Sequence, residues 1–176
     1  MRRLTVAMAL LATMVLATEG CRNRRKAAAK PVTDNGRLVS VVNVVEPRTA
    51  GQLIRGFYPV ESESWRWTMK QFMVTLATPP DAARRGASLE LKFAIPEVIF
   101  NRLGPMAVSA AINGVALPPE SYSKAGDYTY TRDVPASALS GDAVAVQFAV
   151  DKGLPPSEQD HRELAIVVTS VGLFPK

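Results

Sequence analysis

One histidine and one cysteine in 176 residues leave few routes to side-chain catalysis. Any Ser-His-Asp relay has to use His161, which sits in the charged run Gln159-Asp160-His161-Arg162-Glu163 with no nucleophile-elbow pattern beside it. That setting reads as a solvated loop histidine. A single His and a single Cys do not assemble the usual zinc ligand sets. Paired carboxylates for glycoside hydrolysis are fixed in space rather than in sequence, and no spacing singles out a pair, so a hydrolase is the least supported class. Asp127, Asp133, Asp142, Asp151 and Asp160 fall near strand ends, yet no Asp-x-Asp-x-Asp loop is present. Turn formation accounts for them better than calcium does. The chain therefore reads as a non-enzyme with no cofactor and no metal site.

Binding chemistry is concentrated in Gly56-Phe57-Tyr58-Pro59-Val60-Glu61 and Ser64-Trp65-Arg66-Trp67-Thr68. Both tryptophans of the chain lie here, at i and i+2, so in a strand they share a face. Flat rings on a sheet face stack against sugar rings in many sandwich modules, and Glu61 and Arg66 offer hydrogen bonds to hydroxyls. The competing reading is that Trp65 or Trp67 plugs a core, where a large ring buries much area. Core packing is the stronger of the two for Trp67. Tyr122, Tyr128 and Tyr130 form a second aromatic group, expected to pack at a rim.

These residues need strands to hold them, and the dominant period is two. Leu89, Leu91, Phe93 and Ile95 alternate with Ser88, Glu90, Lys92 and Ala94; Val144, Val146, Phe148 and Val150 alternate with small or polar residues. Phe72, Val74 and Leu76 repeat the pattern, as do Met106, Val108, Ala110 and Ile112. Each run offers one apolar face to a core, and each large side chain so buried contributes roughly 1.5–3 kcal/mol. Val39–Val45 and Leu164–Val171 are apolar on both faces, as central strands are. Asn113-Gly114 signals a two-residue hairpin. Pro79-Pro80-Asp81, Pro118-Pro119 and Pro155-Pro156 are expected to separate strands. Only Pro135–Leu139 hints at a helical turn. The pattern predicts an all-β fold, a two-sheet antiparallel β-sandwich of jelly-roll type, over residues 37–176.

Upstream lies a different kind of sequence. Met1-Arg2-Arg3 is a short positive segment, and Leu4–Ala17 is apolar or weakly polar throughout. That run is shorter than the about 20 residues a membrane span needs and suits a signal peptide. Cys21 follows in Leu16-Ala17-Thr18-Glu19-Gly20-Cys21, which resembles a bacterial lipoprotein leader. The resemblance implies a signal peptide over 1–20, cleavage before Cys21 and its diacylation, although Thr18 and Glu19 depart from the usual pattern. Ordinary secretion with a free Cys21 is the other reading. Two acyl chains beside a basic stretch give stable anchoring. Residues 21–36 form a basic tether in which Arg22, Arg24, Arg25, Lys26 and Lys30 meet no acid up to residue 30. That excess equals the net charge of +5, so the remainder is balanced and a nucleic-acid partner is not indicated. A basic tether is drawn to anionic headgroups instead. The expected location is the cell envelope, with the outer membrane or cell surface favoured because no aspartate follows Cys21.

Gly-Phe-Tyr-x-x-Glu, Trp-Arg-Trp-Thr, Ile112-Asn113-Gly114, Gly126-Asp127-Tyr128 and Asp160-x-Arg162-Glu163-Leu164-Ala165-Ile166, in that order, make residues 53–174 similar to galactose-binding-like jelly-roll accessory domains. The resemblance implies a non-catalytic sandwich and makes a glycan the expected ligand class. In that frame Glu61, Arg66, Asp160 and Arg162 meet where first and last strands approach. A structural ion-pair cluster, with Arg162 clamping Glu61 or Asp160, is the preferred account; a ligand-facing cluster is the alternative. The candidate ligand-binding set is thus Tyr58, Glu61, Trp65, Arg66, Trp67, Asp160 and Arg162. The rival function is a structural or protein-docking module of an envelope assembly.

Overall fold

Where alternation is strongest in the sequence, strands form in the computed structural model, which describes residues 37–176. Cys21, the leader and the tether lie outside the described residues. Nine strands run as β1 (Val41–Asn43), β2 (Leu53–Glu61), β3 (Trp65–Ala77), β4 (Ala87–Ile95), β5 (Met106–Ile112), β6 (Val115–Tyr122), β7 (Gly126–Val134), β8 (Ala143–Val150) and β9 (Val167–Pro175). Two short helices interrupt them, α1 (Ala82–Arg85) and α2 (Glu97–Leu103). Leu89, Leu91, Phe93 and Ile95 all point inward, as do Val144, Val146, Phe148 and Val150. Phe72 stacks on Phe148 with centroids 5.0 Å apart, across the Phe72↔Phe148 register pair of β3 and β8.

The pairings define two antiparallel layers, β1-β9-β4-β7 and β2-β3-β8-β5-β6. Apart from the extra edge strand β2 and the β5–β6 hairpin, successive connections cross between layers, which is the jelly-roll order. The layers are also closed along both flanks. On one, the long β3 leaves β8 and pairs with β9 at Arg66↔Val168 and Trp67↔Val167. On the other, β7 staples β6: the Tyr130 hydroxyl donates to the Pro118 carbonyl at 2.8 Å, and Arg132 donates to Pro118, Pro119 and Glu120 at 2.7, 3.0 and 2.7 Å.

Three expectations change. Val39–Val45 is not a central strand. Only Val41–Asn43 pairs, against β9 alone, and Val41 stays 43% exposed. The Val39 carbonyl accepts instead from the Ala77 N–H at the end of β3, and the Gln52 side chain bonds both the N–H and the carbonyl of Val39. Pro118 and Pro119 lie inside β6 instead of ending it; β6 is an edge strand, where a missing N–H costs no ladder bond. Tyr122 and Tyr130 are buried rather than at a rim: the Tyr122 ring packs on Phe93 and Tyr128, and the Tyr130 hydroxyl donates to the Pro118 carbonyl. The Asn113-Gly114 turn forms as expected, with φ of 48° and 84° at the two positions.

Two features of the crossovers position the site. Pro96 and Gly104 bracket α2, whose Ile99 is buried against the core. The β8–β9 connection folds back on itself: Leu154 and Leu164 exchange backbone bonds of 2.8 and 3.0 Å. Ala165 donates to the Thr68 carbonyl, and the Glu163 carboxylate accepts the Lys70 N–H at 2.6 Å. Lys152 ties this connection to α2 by donating to the Leu103 and Pro105 carbonyls. Loop and helix are thus held as two fixed walls. Among the described residues, no helix is long and apolar enough to cross a membrane.

Candidate functional site

Arg162 is the hub of the site. Its Nε donates to Asp160 Oδ1 at 2.9 Å and its Nη2 to Asp160 Oδ2 at 2.8 Å, a fork-to-fork pair. Its Nη1 donates to Glu61 Oε1 at 2.5 Å, which reaches from the β8–β9 loop to the end of β2. The Arg162 backbone N–H also donates to Asp160 Oδ1 at 3.0 Å, so the Asp-x-Arg spacing closes a compact turn. The guanidinium lies 5.3 Å from the Tyr58 ring centroid. These bonds hold the Asp160 carboxyl down at about 2, chiefly through the Arg162 side chain and then its backbone N–H. The same two carboxylates raise the Arg162 pKa, with Asp160 the larger cause. A carboxyl so firmly ionised is a poor general acid.

Arg66 is committed elsewhere. Its Nε donates to the Val44 carbonyl at 2.7 Å and its Nη1 to the Tyr58 carbonyl at 3.0 Å, and burial lowers its pKa. It fastens β3 to the first segment of the fold and to β2, and has little left for a ligand.

Trp67, Asp160 and Arg162 line one groove of about 320 Å³, at the small end of ligand clefts (about 300–1,000 Å³). Trp67 is half-buried and packs against the core. One wall is α2, with Ile99 and Arg102; the other is the loop, with Leu154 and the Pro155-Pro156 pair. An aromatic side chain beside apolar walls and fixed charges makes a surface that stacks a ring and orients its polar groups.

Of the seven expected residues, Tyr58, Glu61, Asp160 and Arg162 come together, and Arg162 clamps both carboxylates at once. Trp67, Asp160 and Arg162 face the groove. Trp65 is half-buried at the β2–β3 end, paired in register with Glu61, and does not line the groove. Tyr58 and Glu61 stand behind Arg162 and fix its orientation. Sequence reasoning missed the α2 wall, although Pro96 before it and Gly104 after it are helix punctuation. His161 is exposed on the loop. Asp151 accepts the Ala107 N–H and Asp133 pairs with Lys176. Among the described residues no cluster of three or more His, Cys, Asp or Glu is placed to hold a metal ion.

Other hollows are less suited to a ring. One of about 860 Å³ beside Leu38, Val39, Thr78 and Asp142 offers no aromatic side chain. One of about 310 Å³ beside Lys92 and Asp127 includes Tyr128, but that ring packs on Tyr122 and Phe93 at 4.5 and 5.8 Å.

No family model matches the sequence, and no curated protein matches it. Among solved structures, it is similar to a carbohydrate-binding module described for specific mannan recognition, at 12% identity and a TM-score of 0.46, covering 80% of this chain and 98% of that one. A carbohydrate-binding module of family 36 in complex with calcium and xylotriose gives 9% identity and a TM-score of 0.41, covering 77% and 99%. Dimeric latent PorU from Porphyromonas gingivalis gives 9% identity and a TM-score of 0.40, with 59% of this chain matching only 10% of that one. Likenesses this low carry no argument about a ligand, and the reading of the site rests on its own residues.

Proposed function

We propose that this is an exported lipoprotein, anchored to an envelope membrane through Cys21, whose β-sandwich binds saccharide without catalysis. The observation that carries the ligand class is the convergence of Trp67, Asp160 and Arg162 on one open groove. A half-buried indole supplies a stacking face, and a rigid charged turn beside it supplies polar contacts. The non-catalytic part is supported by the tight engagement of Asp160 and Glu61 with Arg162, which leaves neither carboxyl placed to deliver a proton. The anchor is supported by the leader sequence and its basic tether.

Affinity electrophoresis through gels containing soluble plant and bacterial polysaccharides tests the ligand. Retardation by at least one polymer is expected, lost in Trp67→Ala and retained in Trp65→Ala. Free migration of the wild type in every gel sinks the reading, and equal retardation of the Trp67 variant moves the site elsewhere. Mass spectrometry of the mature protein tests the anchor: a diacylated N-terminal Cys21 is expected, and an unmodified start at Thr18 rules it out. The second reading, a protein-docking surface, is favoured by Val98, which is 53% exposed on α2 at the groove. It requires a captured envelope protein that saccharide does not displace.

A further inference from the structure

We infer that the saccharide taken by this groove carries a carboxylate, and that Arg102 selects it; this rests on the groove being the saccharide site. Three charged residues line the groove: Asp160, Arg162 and Arg102. The first two are spent on each other. Every guanidinium nitrogen of Arg162 is engaged by Asp160 or Glu61, and both Asp160 oxygens accept from Arg162. Two N–H groups of Arg162 remain for ligand hydroxyls, but the charge of the guanidinium is already met by two carboxylates.

Arg102 differs. It is exposed on the last turn of α2, and among the described residues it has no hydrogen-bond or ion-pair partner. It presents a planar fork of five N–H donors, the geometry that fits a carboxylate through two parallel bonds. Trp67, Ile99, Leu154 and Pro155 line the groove with it and supply apolar surface for a sugar ring. Arg162, Asp160 and Glu61 together carry one net negative charge, and Arg102 on the facing wall is the lining charge with no partner of its own. A uronic acid residue meets all of these requirements: a ring for Trp67, one planar monoanion for Arg102, and hydroxyls for the Asp160 edge.

The test uses the full-length protein and four uronic acid polymers (polygalacturonate, alginate, hyaluronan and glucuronoxylan), each paired with its carboxyl-reduced neutral form. Titration calorimetry is run on every pair at low and at moderate salt. At least one acidic polymer is expected to bind about tenfold or more tightly than its reduced partner. That advantage is expected to shrink with added salt, while binding of the reduced form stays flat. Arg102→Gln is expected to erase the advantage while keeping the wild-type circular dichroism spectrum and melting temperature, which shows the variant is folded. Equal affinity for acidic and reduced forms overturns the inference but leaves the saccharide groove standing. So does a preference that survives in Arg102→Gln. If neutral and acidic polymers alike fail to bind the wild type, it is the groove reading that has failed.

Discussion

One guanidinium holding two carboxylates determines how the β8–β9 loop responds to acid. Asp160 titrates at an ordinary value near 3.8 when the chain is unfolded and at about 2 when it is folded. Its contribution is therefore fully present above about pH 4 and lost as the pH falls through about 2. The protection of the Arg162 and Leu164 amides from hydrogen exchange, relative to their intrinsic rates, should fall across that window in the wild type, and Asp160→Asn should remove the step while lowering protection at higher pH. A wild-type loop whose exchange shows no such step would contradict the latch. At this scale the sequence was partly legible. Asp160-x-Arg162 is local, so its turn follows from spacing, whereas Glu61 is fixed by register across the fold. The commitment of Arg66 to the Val44 and Tyr58 carbonyls was hidden, because backbone acceptors leave no trace in composition.

Among the elements, the alternating runs declared themselves and the exceptions were those governed by tertiary partners. β4 and β8 follow the two-residue period without a break, while β1 is only three residues long and β6 tolerates two prolines by lying at an edge. The irregular strand is β2, which shifts register three times along β3. Gly56 allows this: at φ 77° its missing Cβ would stand 2.2 Å from the Gln71 carbonyl oxygen. Gly56→Ala is expected to destabilise by about 1–3 kcal/mol from the backbone conformation alone, with the clash added, as read from chemical denaturation. At the opposite flank, Arg132→Met should strip three carbonyl and carboxylate contacts from β6 and cost about 1–2 kcal/mol. The loss should appear first as faster exchange in β6 and β7; a variant as stable as wild type would mean the staple is incidental.

For the whole molecule, the two layers enclose one hydrophobic core joined along both flanks, and the aromatic stack of Phe72 on Phe148 lies within it. Phe148→Ala removes half of that stack from a closed interior and should cost about 3–5 kcal/mol. A cost below 1 kcal/mol would show that the layers repack freely. The layered architecture was legible because period-two burial leaves few alternatives. The groove was legible only in Trp67, Asp160 and Arg162, since its second wall comes from a seven-residue helix between two strands. Such a short helix has no sustained stripe to read, only its flanking proline and glycine. Which tryptophan lines the groove was likewise a matter of tertiary placement, as both share one strand and one spacing.

The most direct test uses Trp65→Phe, in which fluorescence reports Trp67 alone, titrated with a polysaccharide that retards the protein. Bound saccharide is expected to shield Trp67 from acrylamide quenching, with half-saturation matching the affinity measured for the wild type. Undiminished quenching at saturating ligand would contradict the account, because a ring stacked in the groove cannot remain open to the quencher.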